Sequence, residues 1–363
     1  MSAQPIRYTP AVEDIADDEA ATTQTLIETM QQISATTFKD EGRAIRAVHA
    51  KGHGLLDGEL RVLDGLPPEF AQGLFAMPAT YRVALRLSTS PGDLLDDHIS
   101  TPRGFVLKVF DVPGAQLSGD SGDTTQDFLM VDGPAFLAPT PKAFVANVKL
   151  LAASTDKVEG LKRAFSATAR GLETVVEAVG GKSGKLVALG GHKLTNPLGE
   201  TYFTQVALRY GDYVAKLSAV PVSPELTALT DAPVDLDGRR DGLRDAVVEH
   251  FRTAGGEWEI RVQLCTDLDA MPVEDASVAW PEDASPFVAV ARVTVAPQAA
   301  WSAAAIAAID EGLSFSPWHG LVAHQPLGGV NRARRGVYVA LAGERGARLG
   351  CPFVERAPTP RTP

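Results

Sequence analysis

Two cysteines, Cys265 and Cys351, are all that the 363 residues contain. So small a supply excludes a disulfide framework and a four-cysteine metal site, and no histidine pair stands at metal-ligand spacing near either thiol. Positive charge is also short: 34 Lys and Arg stand against 45 Asp and Glu, for a net charge of −11. A chain of that sign is repelled by phosphate backbones and anionic lipid, which argues against nucleic-acid and membrane-surface partners. No stretch approaches the roughly 18 continuous apolar residues of a membrane span. The opening MSAQPIRYTPAVEDIADDEA has no basic segment leading into an apolar one, so it does not read as a secretory leader. With few cysteines, this gives the expectation of a soluble, cytoplasmic protein. Internal repeats, low-complexity linkers and composition shifts are missing too. The expectation is one domain over 21–356, between a flexible polar arm at 1–20 and a flexible Pro-rich tail at 357–363.

An apolar fraction of 45% supports an ordinary globular core. Period-two alternation marks strands at RVALRLS (82–88), GFVLKVFDV (104–112), DFLMV (127–131), TYFTQVALRY (201–210), YVAKLSAV (213–220), WEIRVQLC (258–265) and FVAVARVTV (287–295). HAKGHGLLDGELRVLDG (49–65) reads as strand, turn, strand. Helical spacing covers 22–46 with an interruption near Thr36–Thr37, then 141–153 continuing through 157–179, then 243–253 and 329–341. At least seven strands joined mostly by hairpin-length links predict an antiparallel barrel or sandwich with helices inserted.

Four segments carry chemistry. In PLGGVNRARRGVYVALAGER (326–345), Arg334 and Tyr338 lie one helical turn apart. A guanidinium beside a phenol favours the phenolate, an axial ligand for ferric heme, whereas the neutral phenol is a poor one. The same spacing equally describes a core tyrosine on an ordinary helix. Arg345 follows two turns on and could reach a carboxylate. In RAIRAVHAKGHG (43–54), His49 lies among Ala47, Val48 and Ala50. An imidazole there could move a proton from one peroxide oxygen to the other, or be a satisfied core histidine. In ALRLSTS (84–90), Arg86 and Ser88 share one strand face, so Ser88 could bond an imidazole while Arg86 meets a carboxylate. The Pro-Arg-Gly of TPRGFVLKVF (101–110) reads as a turn before a strand.

In this order the segments resemble the heme catalases. RAVHAKG is similar to that family's distal-histidine segment, ALRLSTS to its arginine-serine strand and TPRGFVLKVF to its Pro-Arg-Gly-Phe strand. FLMVDGPAF resembles the stretch that brings two phenylalanines to the distal cavity, and NRARRGVYVALAGER the proximal helix. The likeness runs from about residue 40 to 345. It implies an α+β fold built on an eight-stranded antiparallel β-barrel with peripheral and inserted helices, holding heme b. By the same resemblance Tyr338 is the iron ligand, Arg334 its charge partner, and His49 the distal acid-base residue backed by Ser88. Arg46, Arg86 and Arg345 bind the propionates, Val48 packs on the distal heme face, and Phe128 and Phe136 line the distal cavity.

The departures matter as much. Where the family carries a distal asparagine, alignment on Gly122 places Asp123, and an ionised aspartate cannot donate a hydrogen bond to peroxide. By the same resemblance the chain is expected to lack the family's flavodoxin-like domain and its long N-terminal arm, like the small catalase-related proteins. A shallower cavity would admit larger peroxides. The expected function is therefore a heme peroxidase that reduces hydrogen peroxide or organic hydroperoxides with a small-molecule reductant. The alternatives are a true catalase, a fatty-acid hydroperoxide rearrangement resembling allene oxide synthase, and a non-catalytic heme carrier. In the rearranging branch a threonine precedes the distal histidine; Val48 stands there here. The sequence specifies no interface, and a homodimer is left open.

Overall fold

The computed structural model describes residues 4–118, 124–154, 194–302 and 313–350. Its centre is an antiparallel sheet of nine strands: β1 Lys51–Val62, β2 Thr80–Thr89, β3 Arg103–Val109, β4 Gln126–Val131, β5 Tyr202–Phe203, β6 Leu208–Tyr210, β7 Tyr213–Pro221, β8 Gly256–Leu264 and β9 Val288–Val295. The strand order is β5-β4-β3-β2-β1-β9-β8-β7-β6, and β5 pairs with β7 as well as β4. That second pairing, Tyr202 with Ala219 and Phe203 with Ser218, closes eight strands into a barrel and leaves β6 as a short hairpin arm on β7. Closure leaves no strand edge open in the ring.

Strand alternation sorts the barrel's two faces. Val83, Leu85 and Leu87 of β2, Phe105, Leu107 and Val109 of β3, and Phe128 and Met130 of β4 point inward to one buried core with Trp258, Tyr202 and Tyr210. The intervening residues Ala84, Val106 and Phe110 face outward, where they meet Leu55, Leu313 and Phe315. This outer face of β1–β4 is therefore buried as well, and the candidate site lies upon it.

Helices α1 (Glu19–Glu41), α2 (Pro141–Ser154) and α4 (Gly329–Leu349) share an apolar cluster of Leu26, Met30, Ile33, Val148, Ala333 and Val337. Helix α3 (Gly242–Thr253) contributes Val247 and Phe251 to the barrel core. α1 runs through Thr36–Thr37 without interruption, and the Thr37 hydroxyl, buried there, donates to the carbonyl of Ile33. α4 continues eight residues past the predicted 341, to Leu349.

Three further expectations change. Residues 49–65 hold one strand, not two: β1 begins at Lys51 and absorbs the glycine-rich stretch through a register shift between Gly52 and Gly54, with His53 buried against Thr89 Oγ1 at 3.1 Å. The single strand expected at 201–210 is broken into β5 and β6 at Gln205, whose φ is 62°. The arm expected to be flexible, from residue 4 onward, lies against the barrel: Ile6 N–H bonds the Cys265 carbonyl and Tyr8 N–H that of Asp212, both at 2.7 Å. Glu13, Glu19 and Glu274 then converge on Arg332 at 2.6–2.9 Å, joining the arm to the starts of α1 and α4. Neither the helix expected at 157–179 nor the tail at 357–363 falls within the described residues.

Candidate active site

His49 sits just ahead of β1 with φ of 51°, a left-handed conformation uncommon for any residue but glycine. Its backbone is fixed from the neighbouring strand: Arg86 Nη2 donates to the His49 carbonyl at 2.8 Å. Its ring occupies a notch cut by registry. Gly52, Ser88 and Gly104 are direct partners across β1, β2 and β3, so two of three adjacent positions lack a side chain. Ser88 Oγ lies 3.4 Å from His49 Nδ1. A Cβ on Gly104 would come within 2.8 Å of both His49 Nδ1 and Ser88 Oγ. The Pro-Arg-Gly segment is thus the first part of β3 and the floor of the notch, held by Arg103, whose Nη1 reaches Glu200 at 2.8 Å and whose N–H reaches Asp132 at 2.9 Å. Gly104→Ala should displace the imidazole and cut any His49-dependent reaction tenfold or more without unfolding the barrel. Unchanged rates, with the ring unmoved in the histidine NMR signals, would show that the notch is loose.

Burial lowers the His49 pKa to about 4, reinforced by the charges of Arg86 and Arg334 and opposed by Asp132. Burial also holds His324, inside the barrel against Phe75, Phe128 and Tyr210, to about 4, and shifts His53 the same way. A depressed histidine pKa means that the unfolded chain binds the proton first. The stability contributed by the neutral His49 and His324 rings is whole above pH 6.5 and is lost as pH falls toward 4, by roughly 3 kcal/mol per ring. Urea unfolding at pH 7, 5.5 and 4 should show the free energy falling by several kcal/mol. A flat profile would mean the rings are not buried in the neutral form.

Tyr338 and Arg334 lie one turn apart on α4, as predicted. Arg334 is desolvated, which lowers its pKa, while Tyr338 partly offsets that loss. Its guanidinium stacks over Phe136 at 5.4 Å and donates to Asn331 Oδ1 at 3.2 Å. Tyr338 lines a cavity of about 610 Å³ with Ser314, Ser316, His319, Ala342 and Gly346. Arg345 is buried beside that wall. Arg46 stacks on Phe315 at 5.1 Å and donates to the Leu313 carbonyl at 2.7 Å, next to Ser314. Val48 packs on the helical cluster that contains Ala333 and Val337, which joins the His49 segment to α4.

The structure thus gathers His49, Ser88 and Arg86 on the barrel's outer face, and Arg334, Tyr338 and Phe136 around α4. Phe128 is different. Strand parity turns it inward between Phe75 and His324, and the β4 residue on the outer face is Leu129. Asp123 lies outside the described residues. The sequence reading passed over Lys108, Asp127 and His319, which meet on the outer face behind the cavity wall. A lysine inside the apolar strand GFVLKVF, and the His of SFSPWHG, were the available signals. Among the described residues no helix is long and apolar enough to cross a membrane, and no cluster of three His, Cys, Asp or Glu could hold a metal ion.

No family model matches the sequence, and no curated protein matches it. Solved structures do. A fungal catalase is 16% identical with a TM-score of 0.58, covering 87% of this chain and 61% of its own. Catalase A from Saccharomyces cerevisiae is 14% identical with a TM-score of 0.56, covering 96% of this chain and 68% of its own. A bacterial catalase matches at 14% identity and a TM-score of 0.56, over 99% of this chain and 68% of its own. This chain thus spans about two thirds of each of these proteins. Identities this low speak to architecture, and the eight-stranded closure with its strand order gives the same answer: the chain has the catalase fold.

Proposed function

We propose that the chain is a heme peroxidase that reduces hydrogen peroxide or organic hydroperoxides. The observation that carries this reading is that Tyr338 lines a cavity one turn along α4 from Arg334, while Val48, beside His49, packs on the cluster that holds Ala333 and Val337 of the same helix. A phenol on α4 and a neutral imidazole on the segment that packs against that helix's cluster are the pair a peroxide-cleaving heme site would need.

The residues present fit a heme. A single phenolate suffices as protein ligand, so the absence of a multi-residue metal cluster among the described residues is no obstacle. The cavity's 610 Å³ lies within the roughly 300–1,000 Å³ usual for cofactor sites. Tyr338 would bind the iron, Arg334 would favour its phenolate form, and Arg46, Arg86 and Arg345 would take the propionates. Val48 and Phe136 would pack around the macrocycle. Bound there, the heme would supply the oxidation-reduction chemistry that no side chain of this site carries.

His49, neutral at physiological pH, would accept the proton of the hydroperoxide on Nε2 and return it to the departing oxygen. That role needs the tautomer in which Nδ1–H donates to Ser88 Oγ, and the 3.4 Å contact has the right partners for it. The left-handed backbone and the Arg86 bond fix where the ring stands. An absorption spectrum of the hemin-loaded chain tests the reading, followed by hydrogen peroxide and then an alkyl hydroperoxide with a chromogenic reductant. A high-spin ferric spectrum of phenolate type with steady reductant turnover is expected. Failure to take up heme would end the proposal, and vigorous oxygen release without reductant turnover would replace it with a catalase.

A further inference from the structure

Between the barrel and the start of α4 lies a second, much smaller cavity. It measures about 30 Å³, and its lining includes Gln126 and Phe128 of β4, Thr204, His324, and Asn331 and Arg334 of α4. His324 is 2% exposed, with its ring set among those of Phe75, Phe128 and Tyr210 at centroid distances of 5.4–5.9 Å. Leu74 N–H donates to its Nε2 at 2.9 Å. Gly73 permits that approach, since a Cβ at this position would collide with Nε2.

The Leu74 bond settles the tautomer. Nε2 accepts, so the ring, kept neutral by burial, carries its proton on Nδ1. That Nδ1–H is buried without a hydrogen-bond partner among the described residues; the Arg209 carbonyl faces the ring but does not reach bonding geometry at Nδ1. A donor left in that condition inside a protein is costly, and here its ring borders a cavity. Other groups of the lining have bonding capacity to spare. Thr204 Oγ1 accepts the Leu217 N–H at 3.1 Å and still has its own proton to give. The amide oxygens of Gln126 and Asn331 accept from Leu321 N–H at 3.0 Å and Arg334 Nη1 at 3.2 Å, and an amide oxygen has room for two such bonds. Roughly 10–15 Å³ holds one water, and a cavity with two to four polar partners is filled where an apolar one stays dry.

We propose that this cavity is a binding site for one structural water, which accepts the His324 Nδ1–H and bridges it to the polar groups of the surrounding lining. The water joins the imidazole of the barrel core to the Thr204 hydroxyl and to the amide oxygens of Gln126 and Asn331. One molecule thereby ties β4, the link between β5 and β6, and the first turn of α4. A bound anion suits the place less well, because the Asp127 carboxylate lines the same cavity. A water both donates and accepts, as this mixed lining requires. The site is separate from the Tyr338 cavity and stands whether or not the chain holds heme.

Nuclear magnetic resonance of the full chain, labelled with nitrogen-15 in histidine, tests this. His324 should show a protonated Nδ1 and an accepting Nε2, and its Hδ1 should give a direct Overhauser cross-peak to water rather than an exchange peak. A crystal of the chain, soaked in bromide, should carry one solvent peak within hydrogen-bonding distance of Nδ1 and no anomalous signal there. Val206 also lines the cavity, and Val206→Leu fills it without removing a polar group. In that variant the water cross-peak should fall at least tenfold while Nε2 still accepts from Leu74. Should the added methylene prevent folding, Thr204→Val keeps the volume but removes a hydroxyl, and the cross-peak should weaken at least threefold. The proposal is overturned by an Nδ1–H coupled directly to a carbonyl, by one with no water cross-peak, or by a cross-peak that survives undiminished in the variant that folds. A bromide signal at Nδ1 also overturns it, by making the site one for anions.

Discussion

Replacing His49 with alanine is expected to slow the reaction of the heme-loaded chain with hydroperoxide by about 10²–10⁴-fold, the usual contribution of a positioned acid-base group, while heme content stays unchanged. The two halves of that expectation come from different observations. The rate falls because the ring in the Gly52–Ser88–Gly104 notch is the neutral imidazole there: burial holds its pKa to about 4, so it can accept a proton at any pH from 5 to 8. Heme content holds because the proposed iron ligand and its charge partner lie on α4, and the arginines proposed for the propionates are anchored through other groups. Arg86 donates to the carbonyl of residue 49, which alanine retains. The left-handed φ of 51° costs alanine more than histidine, so a modest loss of stability should accompany the change. Stopped-flow mixing with hydrogen peroxide and a heme-to-protein ratio decide the matter. Heme loss together with the activity would mean that residue 49 holds the cofactor, and a rate within threefold of the parent would mean that the proton moves elsewhere.

Much of this architecture was legible because period-two alternation is strong where one strand face is buried in a barrel. RVALRLS, DFLMV and WEIRVQLC each located a strand to within two residues, and the strand count with hairpin links led to a barrel. Legibility failed where local geometry departs from a period. His49 and Gln205 adopt positive φ, so one delays the start of an expected strand and the other divides one in two. The bulge at Gly52–Gly54 puts His53 into the core although its glycine neighbours suggest a turn. Phe128 shows a subtler limit: DFLMV alternates in either phase, and only the pairing of Leu107 with Phe128 and of Lys108 with Asp127 says which residues face the core. The candidate segments stood out by composition, and the structure brings His49 beside Ser88 across β1–β3 and sets Arg334 and Tyr338 one turn apart on α4. The Lys108–Asp127–His319 array joins residues as far as 211 positions apart, and nothing in their spacing brings them together.

That array carries the largest expected loss of stability. Lys108→Met should destabilise the chain by about 3–5 kcal/mol, since methionine fills the volume of the stem but leaves a buried carboxylate without its counter-charge. Asp127 is fully buried, and the 2.8 Å approach of Nζ to Oδ1 is an ionic contact rather than a well-aligned hydrogen bond. The Ser316 N–H and His319 remain to satisfy Oδ2, which places the effect toward the lower end of that range. Lys108 also lies over the Phe315 ring at 5.8 Å, a contact that methionine largely keeps. The double variant Lys108→Met/Asp127→Leu removes both charges and should recover most of the stability, because two apolar side chains of similar size can replace a buried ion pair at little cost. Its loop should nevertheless be looser, for His319 and Ser316 lose the oxygen that ties them to β4. Urea unfolding of the two single variants and the double variant measures the coupling between the residues. If Lys108→Met comes within 1 kcal/mol of the parent, the carboxylate is balanced by some other group. If the double variant is no better than the worse single one, the stability of this face comes from packing and not from charge.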